Sequence, residues 1–160
     1  MEQSNPVLSE EVVGLPLFVG EFTHSLDPKK RLTIPAVWRA QVGAPRSVFV
    51  MPDFFEKCLN VYPATNMAHK LEKLRATASI SDRKAMAFAS RLGAASELVS
   101  WDSQGRIRIR DQLLNFAGIQ GQIVMVGALD KFQLWSRELR PPIEEIDQQS
   151  LLEAGKEVLF

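Results

Sequence analysis

The sequence predicts a mainly β protein with short helices (α+β), built from two tandem copies of one structural unit. Three observations carry this. Sliding the 160-residue chain along itself by 75 positions lays Ser25 on Ser100, Asp27 on Asp102, Arg31 on Arg106, Ile34 on Ile109 and Gly43 on Gly118. Apolar pairs accompany them: Leu32 with Ile107, Val48 with Ile123, Val50 with Met125. Five identities in the 29 positions from Phe22 to Val50 are few, but they fall on turn, strand and helix-end positions, where a repeated fold needs them. The second observation is period-2 alternation on both sides of the shared Asp and Arg, the pattern of strands with one buried face. The third is a glycine closing a short helical pattern in each copy.

Taken in order, "EFTHSL" sets Phe22, His24 and Leu26 on one side and Thr23, Ser25 and Asp27 on the other. A turn follows, and Gly105 suits it in the second copy. "RLTI" and "RIRI" alternate again, with Leu32 and Ile34, or Ile107 and Ile109, facing inward. Pro35 opens a short helix, since its missing N–H costs nothing in a first turn, and Gly43 closes it. "RDQLLNFAG" repeats the pattern and ends at Gly118. "SVFVMP" and "QIVMVG" are apolar strands, and "CLNVYP" and "FQLWS" complete the copies. Each unit reads strand–turn–strand–helix–strand–strand. Between the units, Met67, Leu71 and Leu74 follow helical spacing, as do Met86 and Ala89, with Ser81 and Asp82 as N-terminal signals and Gly93 as a stop. The tail begins at a Pro-Pro pair, and Ile143, Ile146, Leu151 and Leu152 suggest a marginal amphipathic helix.

Net charge is zero, so composition does not announce a polyanion partner; its distribution says more. Residues 1–21 carry four glutamates and no cation. Residues 22–46 carry Lys29, Lys30, Arg31, Arg39 and Arg46 against Asp27 alone, and residues 138–160 carry six acids against Arg140 and Lys156. A basic module thus sits between acidic ends, and one patch suffices to bind a polyanion. The alternative is an ordinary solvated charged loop. No apolar run is long enough to span a bilayer, no basic leader precedes "VVGLPLFVG", and the single cysteine, Cys58, leaves no intrachain disulfide. A cytoplasmic protein with no membrane partner is expected, and Cys58 reads as a small buried hydrophobe.

An enzyme would have to draw on His24, His69, Cys58 and Ser25, which form no recognised catalytic spacing. His24 falls on an apolar strand face, and the scattered potential ligands argue against a metal site. No phosphate-binding loop, dinucleotide fingerprint or nucleophile elbow is present. No catalytic residue, metal or cofactor is expected.

The repeated turn invites two readings. Asp27 and Asp102 can accept turn N–H bonds, with Gly105 supplying conformational freedom, so Asp27–Arg31 and Asp102–Arg106 could be staples of a hairpin. Alternatively, Arg31 and Thr33, with Arg106, Arg108 and Arg110 in the second copy, lie on the outer faces of their strands. A β-ribbon fits a DNA major groove, and arginine presents a planar fork to phosphate or guanine. Lys29 and Lys30 would then contact the backbone as point charges.

These residues resemble a known family. "GEFTHSLDPKKRLTIPAVWR", with "WDSQGRIRI" 75 residues on and "VYP" and "LWS" at the copy ends, is similar to MraZ, a family of transcriptional regulators linked to bacterial division and cell-wall genes. The resemblance spans roughly Gly20 to Ser136. It implies an AbrB-like fold, in which two tandem swapped-hairpin halves form one pseudo-dimeric β-barrel. It also implies a homo-oligomeric ring binding direct repeats in promoter double-stranded DNA, and hence a nucleoid-associated protein. The expected organisation is an acidic extension (1–19), AbrB-like repeat 1 (20–66), a helical linker (67–94), repeat 2 (95–138) and a tail (139–160). Three departures stand out: Lys30 where the family usually has glycine, Gln104 where lysine is common, and the 19-residue leader. A ring-forming structural or protein-interaction module without specific DNA binding is the rival reading. A single-copy antitoxin is disfavoured by the presence of two copies.

Overall fold

The computed structural model describes residues 16–77, 82–141 and 148–158. Each copy supplies four strands and one short helix: β1 (Glu21–Ser25), β2 (Arg31–Thr33), α1 (Ala36–Val42), β3 (Ser47–Pro52) and β4 (Leu59–Pro63). The second copy supplies β5 (Glu97–Ser100), β6 (Arg106–Arg108), α4 (Asp111–Phe116), β7 (Gln122–Gly127) and β8 (Phe132–Ser136). Helices α2 (Ala64–Thr77) and α3 (Arg83–Ala95) join the copies, and α5 (Gln148–Glu157) follows them. The expected roles of Ser81, Ile143 and Ile146, and of the acidic segment before residue 16, lie outside the described residues.

The copies are interleaved. β1 pairs antiparallel with β7 and β5 with β3, each across the repeat boundary, while β2 pairs with β6 and β4 with β8. The result is a six-stranded antiparallel sheet, order β1-β7-β8-β4-β3-β5, and a separate two-stranded ribbon, β2·β6. The strand order is its own mirror when the copies are exchanged, which is the mark of an internal twofold. Registers obey it too. His24 faces Ile123, and the 75-residue shift turns that pair into Val99 facing Val48, as observed. Leu32 faces Ile107, its own counterpart, so the axis passes through that pair. At the far side Asn60 faces Gln133, and Gln133 Nε2 donates to Asn60 Oδ1 at 3.3 Å. There the offset is 73, because the loop joining β7 to β8 (128–131) is two residues shorter than the one joining β3 to β4 (53–58).

The six-stranded sheet is not closed by hydrogen bonding: β1 and β5 stand at its edges, and the three-residue strands β2 and β6 pair only with each other. The Asp–Arg turns are not hairpin turns either, because β1 and β2 run into different sheets; each turn is a corner between them.

The core lies where alternation put it. Leu32, Ile34, Ile107 and Ile109 are buried from the ribbon side, and Val48, Val50, Ile123 and Met125 from the sheet. Each such side chain contributes about 1.5–3 kcal/mol through burial. Trp38 of α1 packs against Phe18, Phe22 and Phe132, with ring centroids 6.0, 5.0 and 4.7 Å away, and donates from Nε1 to the Val19 carbonyl at 3.1 Å. Phe18 is fully buried and exchanges two backbone hydrogen bonds with Leu129, so chain preceding Gly20 contributes to the core. Gly127 admits this segment: a Cβ there would lie 2.5 Å from the Phe18 carbonyl oxygen.

The helices connecting the copies are less buried than their spacing suggests. Among the described side chains of α2 only Met67 is buried, with Met51 and Tyr62; Leu71, Leu74, Met86 and Phe88 are exposed. Asp82 caps α3 as read, accepting from the Lys84 and Ala85 N–H groups, but Gly93 lies inside the helix, which continues to Ala95. Cys58 is buried and its thiol is pushed up to about 12, chiefly by desolvation, which leaves it inert. Among the described residues no helix is long and apolar enough to cross a membrane.

Candidate nucleic-acid interface

The two corners are built alike. In the first, Asp27 Oδ1 accepts from the Lys29 N–H (2.9 Å) and the Arg31 N–H (2.7 Å), and Oδ2 accepts from Arg31 Nε (2.7 Å). In the second, Asp102 Oδ1 accepts from the Gln104 and Arg106 N–H groups (2.9 and 3.0 Å), and Oδ2 from Arg106 Nε (2.9 Å). The main chain closes each corner: Lys30 N–H donates to the Asp27 carbonyl at 2.8 Å, and Gly105 N–H to the Asp102 carbonyl at 2.9 Å. A short carboxylate reaching N–H groups two and four residues on is what aspartate supplies best in a turn. The Arg31 N–H bond, reinforced by its guanidinium, holds the Asp27 carboxyl below its ordinary 3.8; Asp102 is lowered in the same way, first by the Arg106 N–H.

The position before each arginine requires a positive φ, 78° at Gly105 and 58° at Lys30. Glycine takes this without strain. Lysine crowds its own carbonyl there, at a cost of roughly 1–2 kcal/mol. A Cβ at Gly105 would also lie 2.6 Å from the Arg39 guanidinium, the end of a flexible side chain that would have to shift. Arg39 in turn donates from Nε to the Ile34 carbonyl at 3.0 Å, and the Ile34 N–H donates to the Gly105 carbonyl at 2.9 Å.

Asp27 and Arg31, and Asp102 and Arg106, are thus hydrogen-bonded across their turns. These bonds do not exhaust the arginines. Their hydrogen bonds within the described residues use Nε alone, leaving Nη1 and Nη2 of both residues without one. Each guanidinium is gripped at one edge, and both side chains are about a quarter to a third exposed (30% and 26%).

The ribbon brings the expected residues together on one face. Leu32 and Ile107 point into the core, and the alternate positions Arg31, Thr33, Arg106 and Arg108 share the other side. Arg31 stands directly opposite Arg108, and Thr33 opposite Arg106. Facing like charges destabilise a strand pair, and here each arginine has its own carboxylate: Asp27, Asp102, or, for Arg108, Asp111 at 2.9 Å. Asp111 Oδ1 also accepts from Lys30 Nζ at 3.4 Å. Its carboxyl is held below 3.8 by the Arg108 and then the Lys30 hydrogen bond. Lys29 is exposed at the first corner. Arg110 does not join this face. β6 ends at Arg108, and Arg110 sits at the start of α4, donating its N–H to Glu97 and Nη2 to the Ala94 carbonyl.

Sequence reasoning missed three residues. Arg39 and Arg46 line a groove beside Asp102 and Ser103, so the second corner, without lysines of its own, borrows cations from the first copy. Counting both in the basic module was the available signal. Asp111 had no signal, because its partner Lys30 is 81 residues away in sequence.

The arrangement can bind an anion and offer guanidinium edges, and among the described residues no cluster of His, Cys, Asp and Glu could hold a metal ion. The profile of the family described as "MraZ protein, putative antitoxin-like" matches residues 17–90 and 92–156, one match per copy. A protein of Limosilactobacillus reuteri (strain DSM 20016) named Transcriptional regulator MraZ is 37% identical over 122 residues, 76% of this chain and 83% of that one. Proteins of the same name from Thermomicrobium roseum and Clostridium acetobutylicum are 36% and 31% identical with the same coverage. The chain belongs to the MraZ family.

Proposed function

We propose that the protein is a sequence-specific DNA-binding transcriptional regulator that presents the β2·β6 ribbon and its two corners to the major groove. One observation supports this most: Arg31, Arg106 and Arg108 share one face of a two-stranded ribbon, and Arg31 and Arg106 are each held through Nε, with Nη1 and Nη2 unbonded among the described residues. A ribbon of this width fits a major groove, and the outer edge of a held guanidinium matches guanine O6 and N7. Holding it in advance removes ordering entropy from the binding step. Lys29, Lys30 and Thr33 contact the backbone around it, and Arg39 and Arg46 serve the second corner.

The second half of the reading is self-association on tandem direct repeats. One ribbon neutralises few phosphates and binds weakly at physiological salt. Several on one assembly act at raised effective concentration. The large exposed aromatics support a contact surface: Phe54 meets Phe88 at 5.4 Å, and Phe55 is 92% exposed. The family resemblance points to promoters of division and cell-wall genes, to a ring, and to a pseudo-dimeric barrel built from the two interleaved halves.

The test is a gel shift on DNA from upstream of the protein's own gene, against a scrambled duplex, over a range of salt. Retention of the native duplex at salt that releases the scrambled one is expected. Equal binding to both, or to neither, would leave the interaction-module reading.

A further inference from the structure

The internal twofold is broken at the ribbon face. Lys30, Asp111 and Arg108 form a bridged triad, with both cations on Asp111 Oδ1. Their counterparts 75 residues away are Gly105, Ala36 and Thr33. None of these three carries a charge, so the triad has no copy at the equivalent positions. Asp111 is thus a carboxylate placed once, 57% exposed, on the face offered to a polyanion.

We propose that Asp111 is a specificity-determining residue that works mainly against wrong sequences. The inference rests on the DNA-binding reading. A phosphate approaching Lys30 or Arg108 must compete with a carboxylate already bonded to both, and must also approach that carboxylate's charge. A base edge bearing an amino group, cytosine N4 or adenine N6, can instead donate to Asp111. Asp111 Oδ2 carries no hydrogen bond among the described residues, so the triad need not break for such a donor. A sequence presenting the amino group in register keeps both ion pairs; any other sequence loses them or faces an unpaired acid. Discrimination by penalty is the expected use of a carboxylate on a basic face. Because the triad occurs once per chain, it also makes the two halves of the ribbon chemically distinct, which gives the bound chain one orientation along DNA.

The variant is Asp111→Asn, which keeps the shape and removes the charge, measured on native upstream and scrambled duplexes across salt. With two cations released to phosphate, affinity for the scrambled duplex rises about tenfold at low salt, and its log–log salt slope steepens by about one. Affinity for the native duplex changes less, so the specificity ratio falls several-fold. Glu153→Gln on α5 removes an acid elsewhere and should leave both affinities unchanged. If wild-type protein discriminates but Asp111→Asn shifts both duplexes equally, or neither, the assignment of Asp111 is wrong while the DNA-binding reading stands. If wild-type protein does not discriminate, that reading falls and takes the inference with it.

Discussion

Lys30 is the residue at which local strain and charge placement conflict. Its φ of 58° belongs to glycine, which its counterpart Gly105 provides. Lys30→Gly should raise stability by roughly 0.5–1 kcal/mol in chemical denaturation, since relief of backbone strain outweighs one exposed ion pair. It should also flatten the salt dependence of DNA binding by about one ion. A destabilised variant would mean that the corner depends on the Lys30–Asp111 bridge more than on its backbone. The aspartates make a separate, pH-dependent contribution. Asp27 and Asp102 have folded-state pKa values below the ordinary 3.8, so each stabilises the fold fully above that value, and the contribution is lost as pH falls through the folded pKa. Asp27→Asn should therefore narrow the gap to wild type as pH drops below about 4, and a gap that stays constant with pH would contradict the assigned cause. At this scale the sequence was informative about type and silent about partner. Asp27, Arg31 and Gly105 could be read from turn chemistry, whereas Arg39 against Gly105 and Asp111 against Lys30 arise from pairings no local pattern specifies.

The elements were legible because alternation is local. "EFTHS", "RLT" and "SVFVMP" became β1, β2 and β3, and the same order returned in the second copy. Partners were less legible. Period-2 patterning says which face of β1 is buried but not that β1 lies beside β7, a strand about 100 residues away. The corner looks like a hairpin in sequence for the same reason: two adjacent strands pair by default, and only the interleaving of copies sends β1 and β2 into different sheets. Phe18 illustrates the boundary problem. It stands at the end of an acidic leader and reads as extension, yet it fills the space over Trp38 and Phe132. Phe18→Ala should cost about 3–5 kcal/mol in equilibrium unfolding, as for other buried aromatics. A cost below 1 kcal/mol would place residues 16–19 outside the cooperative unit.

For the whole molecule, exchange of strands between copies has a functional consequence. The ribbon exists only because β2 of one copy meets β6 of the other, so the face carrying Arg31, Thr33, Arg106 and Arg108 is a joint product of both repeats. Neither repeat alone should bind DNA. The proposed assembly then multiplies that face. Light scattering should show an oligomer, and affinity should rise steeply when duplexes carry several repeats spaced about one helical turn, ~10 base pairs, instead of one. A stable monomer binding one repeat as tightly as several would contradict this part. The central claim is that Arg31 reads bases through the guanidinium edge its staple leaves unbonded. The direct measurement is a footprint of Arg31→Lys on native upstream DNA, paired with a sizing column. Lysine keeps the positive charge and can still pair with Asp27, but it lacks the planar fork, which carries about 1–3 kcal/mol of discrimination per site. The account predicts an unchanged assembly that retains salt-dependent binding to any duplex and loses the specific footprint. An Arg31→Lys protein with a wild-type footprint would show that charge at the corner suffices and that Arg31 does not read sequence.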